Sequence, residues 1–243
     1  MISRRLKAFY YALMRYPMRL NAWAYRRFRA PRAGEVKVHL GPGQKNYLEG
    51  WINVDANCVS ARIDVWANFL DGLPFHDRTV DVFYSHHVIE HLPDLALLSH
   101  FREMHRCLKP GGIIRVGGPN GDSAAMKLIE GDAAWFSDFP DNRKSVGGRF
   151  ANFILCRGEH LTILTASYLG EVAGETGFTE VRPCLPGKET GYPHLIDDQV
   201  LDKEQCDPSD LPHTLVIEAR KPALAPAEAL SAESIPQRLE SRL

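Results

Sequence analysis

The chain has 243 residues, of which 44% are hydrophobic and 24% are charged, and this composition is typical of a globular protein with one sizeable core. Its five cysteines include no C-x-x-C pair, which argues against a disulfide framework or a zinc knuckle and fits a reducing cytosol. No apolar run approaches the roughly 18 residues that a membrane span requires, so we expect a cytoplasmic protein that is not integral to a membrane.

The net charge of -1 conceals a basic first segment. Residues 1–32 hold nine Arg and Lys and no acid, whereas the other 211 residues have a balance of -10. We predict that residues 1–34 form a basic amphipathic helical arm, which Pro17 breaks or kinks. On a helical wheel, apolar and basic side chains near its start separate to opposite sides: Leu6, Phe9, Tyr10, Leu13 and Met14 against Arg4, Arg5, Lys7 and Arg15.

A basic, aromatic and amphipathic helix is typical of segments that lie in an anionic membrane interface. We therefore expect residues 1–30 to bring the protein to the inner face of a membrane. Two alternatives stay open, namely packing of the arm on the rest of the protein or on a partner, and a transit or export sequence. Nucleic acid is not expected as a partner, because the body is acidic and has no recognised nucleic-acid motif.

The body begins with a predicted strand over residues 35–40, which ends at Gly41-Pro42-Gly43. Glycine permits a positive φ and has no side chain, so such a turn lets backbone N–H groups approach a nucleotide-like ligand. A second predicted strand, residues 51–55, ends in Asp55. Because only about ten residues separate the turn from Asp55, a helix between the two parallel strands has room for about one turn.

Further strands are predicted at residues 63–66, 80–85 and 113–116. Between the last two, apolar residues at helical spacing predict a helix over 95–108, with Asp94 as its N-cap and Lys109-Pro110-Gly111-Gly112 as its stop.

Beyond the fifth strand, residues 121–158 have no clear period, and we interpret them as a substrate lid. A helix over 166–176 and two closing strands at 179–184 and 214–220 follow, with a second variable loop over 187–212. The tail, residues 222–243, is rich in Ala, Pro, Glu and Ser and is expected to be disordered.

The order of these motifs resembles that of the class I S-adenosylmethionine-dependent methyltransferases with a type 11 methyltransferase domain. The motifs are the glycine turn, Asp55, Leu73-Pro74-Phe75 followed by Asp81, and Leu108-Lys109-Pro110-Gly111-Gly112. The resemblance covers residues 36–120 well and 160–221 loosely. It implies an α/β fold with a Rossmann-like, doubly wound, seven-stranded and mostly parallel sheet with an antiparallel edge strand, in a domain over 35–221. It also implies an enzyme that takes a methyl group from S-adenosylmethionine.

The resemblance further implies where that cofactor binds. Gly41, Pro42 and Gly43 would cradle its methionine part, and Asp55 would accept hydrogen bonds from the ribose hydroxyls. Asn68 stands where many members have an acid that binds the adenine amino group, and an amide can both accept and donate there. Phe69, Ser85 and His87 are expected on the cofactor side as well. Two further departures from the family are His39, in place of an acid, and Lys45, in place of a third glycine.

We expect the acceptor to be a small molecule or a saccharide- or lipid-linked compound that is methylated at a hydroxyl. A hydroxyl needs a base, and His160 is the first candidate and His87 the second, because imidazole titrates near neutral pH. One alternative is a degenerate, methyltransferase-like binding module without catalysis. A minor alternative is a zinc hydrolase that uses His87 and His91, because residues 87–91 spell H-x-x-E-H. The same letters occur in type 11 methyltransferases, and no metal is expected.

Overall fold

A computed structural model describes residues 4–204 and 211–223 of the chain. Its helices and strands, in chain order, are α1 (Arg4–Phe28), β1 (Lys37–Leu40), β2 (Ile52–Asp55), β3 (Val65–Trp66), β4 (Val80–His86), α2 (Asp94–Cys107), β5 (Leu108–Pro119), α3 (Gly121–Glu130), α4 (Val146–Leu155), α5 (Ala166–Glu175), β6 (Thr179–Cys184), α6 (Asp198–Glu204) and β7 (Thr214–Arg220). Short 3-10 helices lie at Phe69–Asp71, Ile89–His91 and Cys156–Gly158. Most of the predicted tail, residues 224–243, lies outside the described residues.

The seven strands form one sheet in the order β3-β2-β1-β4-β5-β7-β6. The first five strands in this order pair in parallel, and β7 pairs antiparallel with both β5 and β6. This sheet confirms the predicted fold class. The strand order reverses between β1 and β4, and in open α/β sheets ligands bind outside the carboxyl ends of the strands at such a point.

Apolar side chains cover both faces of the sheet, as parallel strands require. On one face, Leu97, Phe101 and Met104 of α2 pack with residues of α5 against the central strands. On the other face, Trp51 and Tyr84 pack against Val200 of α6 and its neighbours. The carboxyl edge of the sheet is therefore held by a core on each side.

The predicted helical turn between β1 and β2 is wrong, because the connection folds as turns without a helix. The buried side chain of Asn53 takes over the stabilising role. Its Oδ1 accepts the Leu48 N–H at 3.0 Å, and its Nδ2 donates to the carbonyls of Leu48 and Trp51, both at 2.9 Å. These side-chain bonds satisfy backbone groups that a helix would otherwise pair.

Of the two effects predicted for Pro17, the break is wrong, because α1 is one helix with Pro17 inside it. Pro17 lies on the exposed side of α1, where water can satisfy the carbonyl that loses its N–H partner. The opposite side packs on the domain, with Met18 only 1% exposed and the Tyr25 ring centroid 5.9 Å from that of Phe75. No helix in the described part of the chain is long and apolar enough to cross a bilayer.

Four smaller predictions are corrected too. Pro93 rather than Asp94 occupies the N-cap of α2, and Asp94 begins the helix. Strand β5 begins at Leu108 and passes through the predicted lysine-proline-glycine stop. Residues 121–158 contain the helices α3 and α4, whose apolar side chains form a small cluster of their own, and the loop predicted over 187–212 contains α6. Tertiary packing supplies the apolar contacts that short helical patterns do not reveal.

A buried ion cluster attaches α6 to the sheet. The Arg115 side chain, 0% exposed, donates to Glu204 at 2.6 and 2.7 Å, to Glu218 at 2.7 Å and to the Glu189 carbonyl at 2.9 Å. Glu218 also accepts the Gly191 N–H at 2.9 Å. We call Arg115, Glu204 and Glu218 the Arg115 cluster. Each of its charges has an opposite charge and further hydrogen bonds, which a buried ion pair needs if it is to offset its desolvation.

Candidate active site

A cavity of about 600 Å³ opens at the carboxyl ends of β1, β2 and β4. Its wall brings together predicted site residues that are up to 46 positions apart in the chain, namely Gly41, Gly43, Asp55, Asn68, Phe69 and His87. The other lining residues are Tyr11, Ala56, Leu70, Val88, His91, Leu92, Gly158, Glu159 and Leu161. The volume lies in the range of small-molecule and cofactor sites. Pro42, Ser85 and His160 are not part of this wall.

Both glycines of the turn have positive φ angles, and Gly41 also lies close to the Val88 side chain. Gly41 has a φ of 76°, and a Cβ at this position would lie 2.2 Å from Cγ2 of Val88. Its N–H donates to the Val54 carbonyl at 2.8 Å, which holds the turn against β2. Gly43 has a φ of 55° and open space where a Cβ would lie. Both positions therefore favour glycine, but steric exclusion acts at Gly41 alone of these two.

The Asp55 carboxylate, at the end of β2, accepts a hydrogen bond from the glycine turn. Its Oδ2 accepts the Gly43 N–H at 3.1 Å, and its Oδ1 accepts the Asn57 N–H at 2.9 Å. Each carboxylate oxygen can accept more than one hydrogen bond. The half-buried Asp55 is therefore oriented by the backbone and retains the capacity to accept two hydroxyl groups from the cavity.

Asn68 and Phe69 form the next part of the wall. Oδ1 of Asn68 accepts the Leu70 N–H at 3.0 Å and caps the short 3-10 helix that begins at Phe69. The half-buried Phe69 ring packs on His100, with 5.6 Å between ring centroids. A flat apolar ring next to an amide is suited to a heteroaromatic group.

His87 lies on the wall in a conformation that is uncommon for a residue other than glycine, with a φ of 57°. Its N–H donates to the Gly117 carbonyl at 2.9 Å, and its Nδ1 lies 3.3 Å from Oε1 of Glu90. Glu90 is only 1% exposed, whereas the His87 side chain is 49% exposed. A carboxylate accepts hydrogen bonds, so Nδ1 carries the proton and Nε2 is the basic nitrogen.

The H-x-x-E-H segment does not form the helix that a zinc protease needs. Residues Ile89–His91 are a single 3-10 turn, and the positive φ of His87 precedes it. His87 and His91 are therefore not presented at i and i+4 of an α-helix. Ser85, just before this segment, is fully buried, and its Oγ has no hydrogen-bond partner among the described residues.

His160 lies next to the wall, behind His91, with 5.1 Å between their ring centroids. Its Nδ1 is 3.0 Å from the Ile154 carbonyl oxygen. Burial lowers the pKa of His160, which favours a neutral imidazole at pH 7. The proximity of His91 and His160 joins two segments 69 positions apart, and the sequence carries no signal for it.

Of the residues that depart from the family pattern, His39 is in the interior. It is 2% exposed, and its Nδ1 lies 3.1 Å from Oδ1 of Asn53. Burial lowers the pKa of His39 to about 4. Sequence reasoning also missed Tyr11, which places α1 at the edge of the cavity, together with Glu159 and Leu161. The amphipathic pattern of α1 is the one signal that pointed to an apolar contact there.

Comparison with known proteins gives one family match, which covers the central part of the chain. Residues 41–116 match the family model described as a methyltransferase domain. This stretch contains the glycine turn, Asp55, the 3-10 helix at Phe69–Asp71 and the His87 to His91 segment. No curated protein matches the chain significantly.

Several solved structures are similar to the chain. A methyltransferase from Archaeoglobus fulgidus, described as S-adenosylmethionine-dependent, is 16% identical over 87% of this chain and 100% of its own, with a TM-score of 0.48. A possible histamine N-methyltransferase from Thermotoga maritima is 17% identical over 89% and 95%, with a TM-score of 0.48. A phosphoethanolamine N-methyltransferase from Haemonchus contortus is 15% identical over 84% and 52%, with a TM-score of 0.47.

The match to a methyltransferase domain covers residues 41–116, which include most of the cavity wall. On a sheet with the strand order described above, it supports an enzyme that uses S-adenosylmethionine. The site fits this cofactor in its own chemistry. A carboxylate with capacity for two hydroxyls, a glycine turn without side chains that could enter the cavity and a flat ring lie around one cavity of adequate volume.

Proposed function

We propose that the protein transfers the methyl group to a hydroxyl of a small-molecule or saccharide- or lipid-linked acceptor. The observation that carries the proposal is the pair of His87 and Glu90 on the cavity wall. A buried carboxylate that orients an exposed imidazole is an arrangement suited to general-base catalysis. An acceptor hydroxyl needs such a base because its own pKa is far above neutral.

For the cofactor, we assign the predicted residues to parts of the cavity wall. Asp55 would accept the ribose hydroxyls, and Gly41 and Gly43 would let the backbone approach the methionine part. Asn68 and Phe69 would hold the adenine by a hydrogen bond and by ring packing. When bound, S-adenosylmethionine supplies a methyl group on a positively charged sulfur.

The chain's own contribution to catalysis is then to orient the acceptor, exclude water and move one proton. Nε2 of His87 would take the proton of the acceptor hydroxyl, and Glu90 would stabilise the resulting imidazolium. Tyr11 from α1 and Leu161 would narrow the opening of the cavity and reduce the access of water. Of the two histidines predicted as bases, His87 is the one on the wall, and His160 lies behind His91.

Calorimetric titration tests the cofactor site. Purified protein in EDTA should bind S-adenosylmethionine and its demethylated product, and Asp55→Ala should weaken both by about 10- to 100-fold, because hydrogen bonds to a charged group contribute about 1.5–3 kcal/mol. Asp198→Ala, at an exposed carboxylate on α6, is the matched control and should change nothing. Absence of binding by the unmodified protein would favour the degenerate module.

A second experiment tests the proton acceptor. In an assay with a hydroxyl-bearing acceptor and saturating S-adenosylmethionine, His87→Ala should lower kcat by about 100-fold or more. The pH profile of the unmodified enzyme should show a rise with the titration of one group, and this rise should disappear in His87→Ala. An unchanged profile would exclude His87 as the base.

We also propose that α1 holds the enzyme at an anionic membrane surface. The outward side of α1 carries a stripe of apolar side chains that are each more than half exposed: Phe9, Leu13, Tyr16, Leu20 and Trp23. Their spacing of i, i+4, i+7, i+11 and i+14 places them within one narrow face. Arg15, Arg19 and Arg26 lie along one edge of the stripe, where Arg15 and Arg26 also pair with Asp71 and Asp77, and this combination suits a helix in an anionic interface.

Vesicle sedimentation tests this second part of the proposal. The protein should pellet with phosphatidylserine-containing vesicles but much less with phosphatidylcholine alone, and salt should weaken the binding. Leu13→Glu with Leu20→Glu should abolish pelleting. Leu95→Glu, which changes an 80% exposed leucine on α2, is the matched control. Self-association of the unmodified protein without vesicle binding would instead show that the stripe joins two copies of the chain.

A further inference from the structure

Three potential ligand side chains converge beside the cavity. Ligand atoms of Glu90, His91 and His160 all lie within 4.8 Å of one another. We call these residues the Glu90 cluster. His91 belongs to the cavity wall, so the cluster adjoins the proposed acceptor position.

Each imidazole of the Glu90 cluster is held in one tautomer by a backbone carbonyl. Nδ1 of His91 lies 2.9 Å from the Glu159 carbonyl oxygen, and Nδ1 of His160 lies 3.0 Å from that of Ile154. A carbonyl can only accept, so each Nδ1 carries the proton and each Nε2 has a lone pair. Metal-binding histidines are oriented by the same kind of second hydrogen bond.

Glu90 contributes a buried carboxyl group. It is 1% exposed, and its Oε2 has no hydrogen-bond partner within residues 4–204 and 211–223. Its Oε1 lies 4.0 Å from Nε2 of His91. A cation between the two ring nitrogens and the carboxyl group would be attracted by all three.

We propose that the Glu90 cluster binds one divalent transition-metal ion. Two imidazoles and one carboxylate are a ligand set that zinc and related ions accept, with positions left for exogenous oxygen atoms. At metal–ligand distances of ~2.1 Å, tetrahedral ligands lie about 3.4 Å apart. The separations in the cluster therefore need to shorten by about an ångström on binding, which rotations of the two imidazoles can supply.

The bound ion would activate the hydroxyl group of the acceptor, and this inference rests on the proposed methyl transfer to a hydroxyl. A hydroxyl oxygen that coordinates a divalent ion loses its proton far more readily than a free one. The O–H bond breaks, its electron pair stays on oxygen, and the proton passes to His87 or to water. A vicinal diol could bind through both oxygens, so the cluster favours acceptors of that class.

Metal titration of the full-length protein tests the site directly. After removal of metals with EDTA and dialysis, Zn²⁺ should bind with a stoichiometry of one by calorimetry, and Co²⁺ should give the visible absorption bands of a nitrogen-ligated ion. His91→Ala and His160→Ala should each weaken binding by at least about 100-fold. His194→Ala removes an exposed histidine elsewhere and should bind as the unmodified protein does.

A second measurement distinguishes loss of the metal site from misfolding of the variant. Zn²⁺ should raise the Tm of the unmodified protein and of His194→Ala, but not that of His160→Gln, whose far-UV circular dichroism should remain native. Absence of saturable binding, or equal binding by His160→Gln, would overturn the proposal. Titration with S-adenosylmethionine in EDTA separates the two proposals, since a protein that binds the cofactor but no metal refutes the metal site alone.

Discussion

The Arg115 cluster and the Glu90 cluster both bury carboxylates next to cationic or titratable side chains, yet they differ in how their charges are satisfied. In the Arg115 cluster the guanidinium donates to both glutamates and to a backbone carbonyl. In the Glu90 cluster, Oε2 of Glu90 has no hydrogen-bond partner in the described part of the chain, and the two imidazoles each have a ligand atom within 4.8 Å of a Glu90 carboxylate oxygen.

This difference separates a structural role from a binding role. A buried ion pair whose hydrogen bonds are all made can stabilise one arrangement of the chain, whereas a buried group that lacks partners costs free energy until a ligand supplies them. The Arg115 cluster joins α6 to the sheet, away from the cavity wall. The Glu90 cluster adjoins the cavity. The following predictions test whether the distinction holds.

The largest effect is expected in the Arg115 cluster. Arg115→Met should lower the free energy of unfolding by about 3–5 kcal/mol, because it leaves the Glu204 carboxylate buried without its cation and leaves Glu218 with Arg182 alone. Urea unfolding followed by circular dichroism measures this loss. Arg62→Met breaks an exposed pair with Glu49 and should cost less than about 1 kcal/mol. Similar losses in both variants would contradict the structural role of the Arg115 cluster.

A buried histidine that lies outside both clusters provides the next test. His100 is 3% exposed, and neither ring nitrogen has a partner among the residues described here. Burial lowers the pKa of His100 to about 4, and burial does the same for His39. Both are neutral in the folded protein, whereas the unfolded chain takes up protons below pH ~6.5. Their contribution to stability is therefore complete above pH ~6.5 and falls as the pH approaches about 4.

The expected loss is about 3 kcal/mol for each of these two histidines. Thermal or urea unfolding between pH 7 and pH 4 measures it, and His100→Leu should remove the contribution of His100, about 3 kcal/mol. If His100→Leu unfolds with the pH dependence of the unmodified protein, the unpartnered nitrogens of His100 are not the source. His100→Leu should bind Zn²⁺ normally, because a lone unpartnered group away from the cavity is not a ligand set.

Substitutions in the glycine turn are expected to have intermediate effects on the free energy of unfolding. Gly41→Ala should lower the free energy of unfolding by about 2 kcal/mol, from the positive φ and from the collision with Val88. Gly43→Ala has the positive φ but no collision and should cost about 1 kcal/mol. The double variant Gly41→Ala with Val88→Ala should regain cofactor affinity that Gly41→Ala loses. Equal effects at the two glycines would exclude the steric explanation.

The smallest change in stability is expected at Glu90. Glu90→Gln should alter the free energy of unfolding by less than about 1 kcal/mol, because the carboxylate it replaces is incompletely paired. The same substitution should abolish Zn²⁺ binding in calorimetry. A loss as large as that of Arg115→Met would show that Glu90 is structural, and the contrast between the two clusters would fail.

Much of the fold follows from local sequence patterns. Strands β6 and β7, the helix α5 and the seven-stranded sheet appear where β-favouring runs, helical periodicity and glycine stops predicted them. Each of these signals depends on residues that are close together in the sequence, so it can be recognised without knowledge of tertiary contacts. The proximity of the glycine turn and Asp55 could also be predicted from the sequence, because the carboxyl ends of neighbouring parallel strands meet at one edge of the sheet.

What the sequence by itself determined is thus the class of fold and the edge of the sheet at which the glycine turn and Asp55 lie. Tertiary structure alone decided which face of α1 packs on the domain, that Asn53 replaces a helix between β1 and β2, and that His160 lies beside His91 and Glu90. The physical reason is the same in each case. These contacts depend on the direction of a side chain across packed elements, and residue spacing along the chain does not specify it.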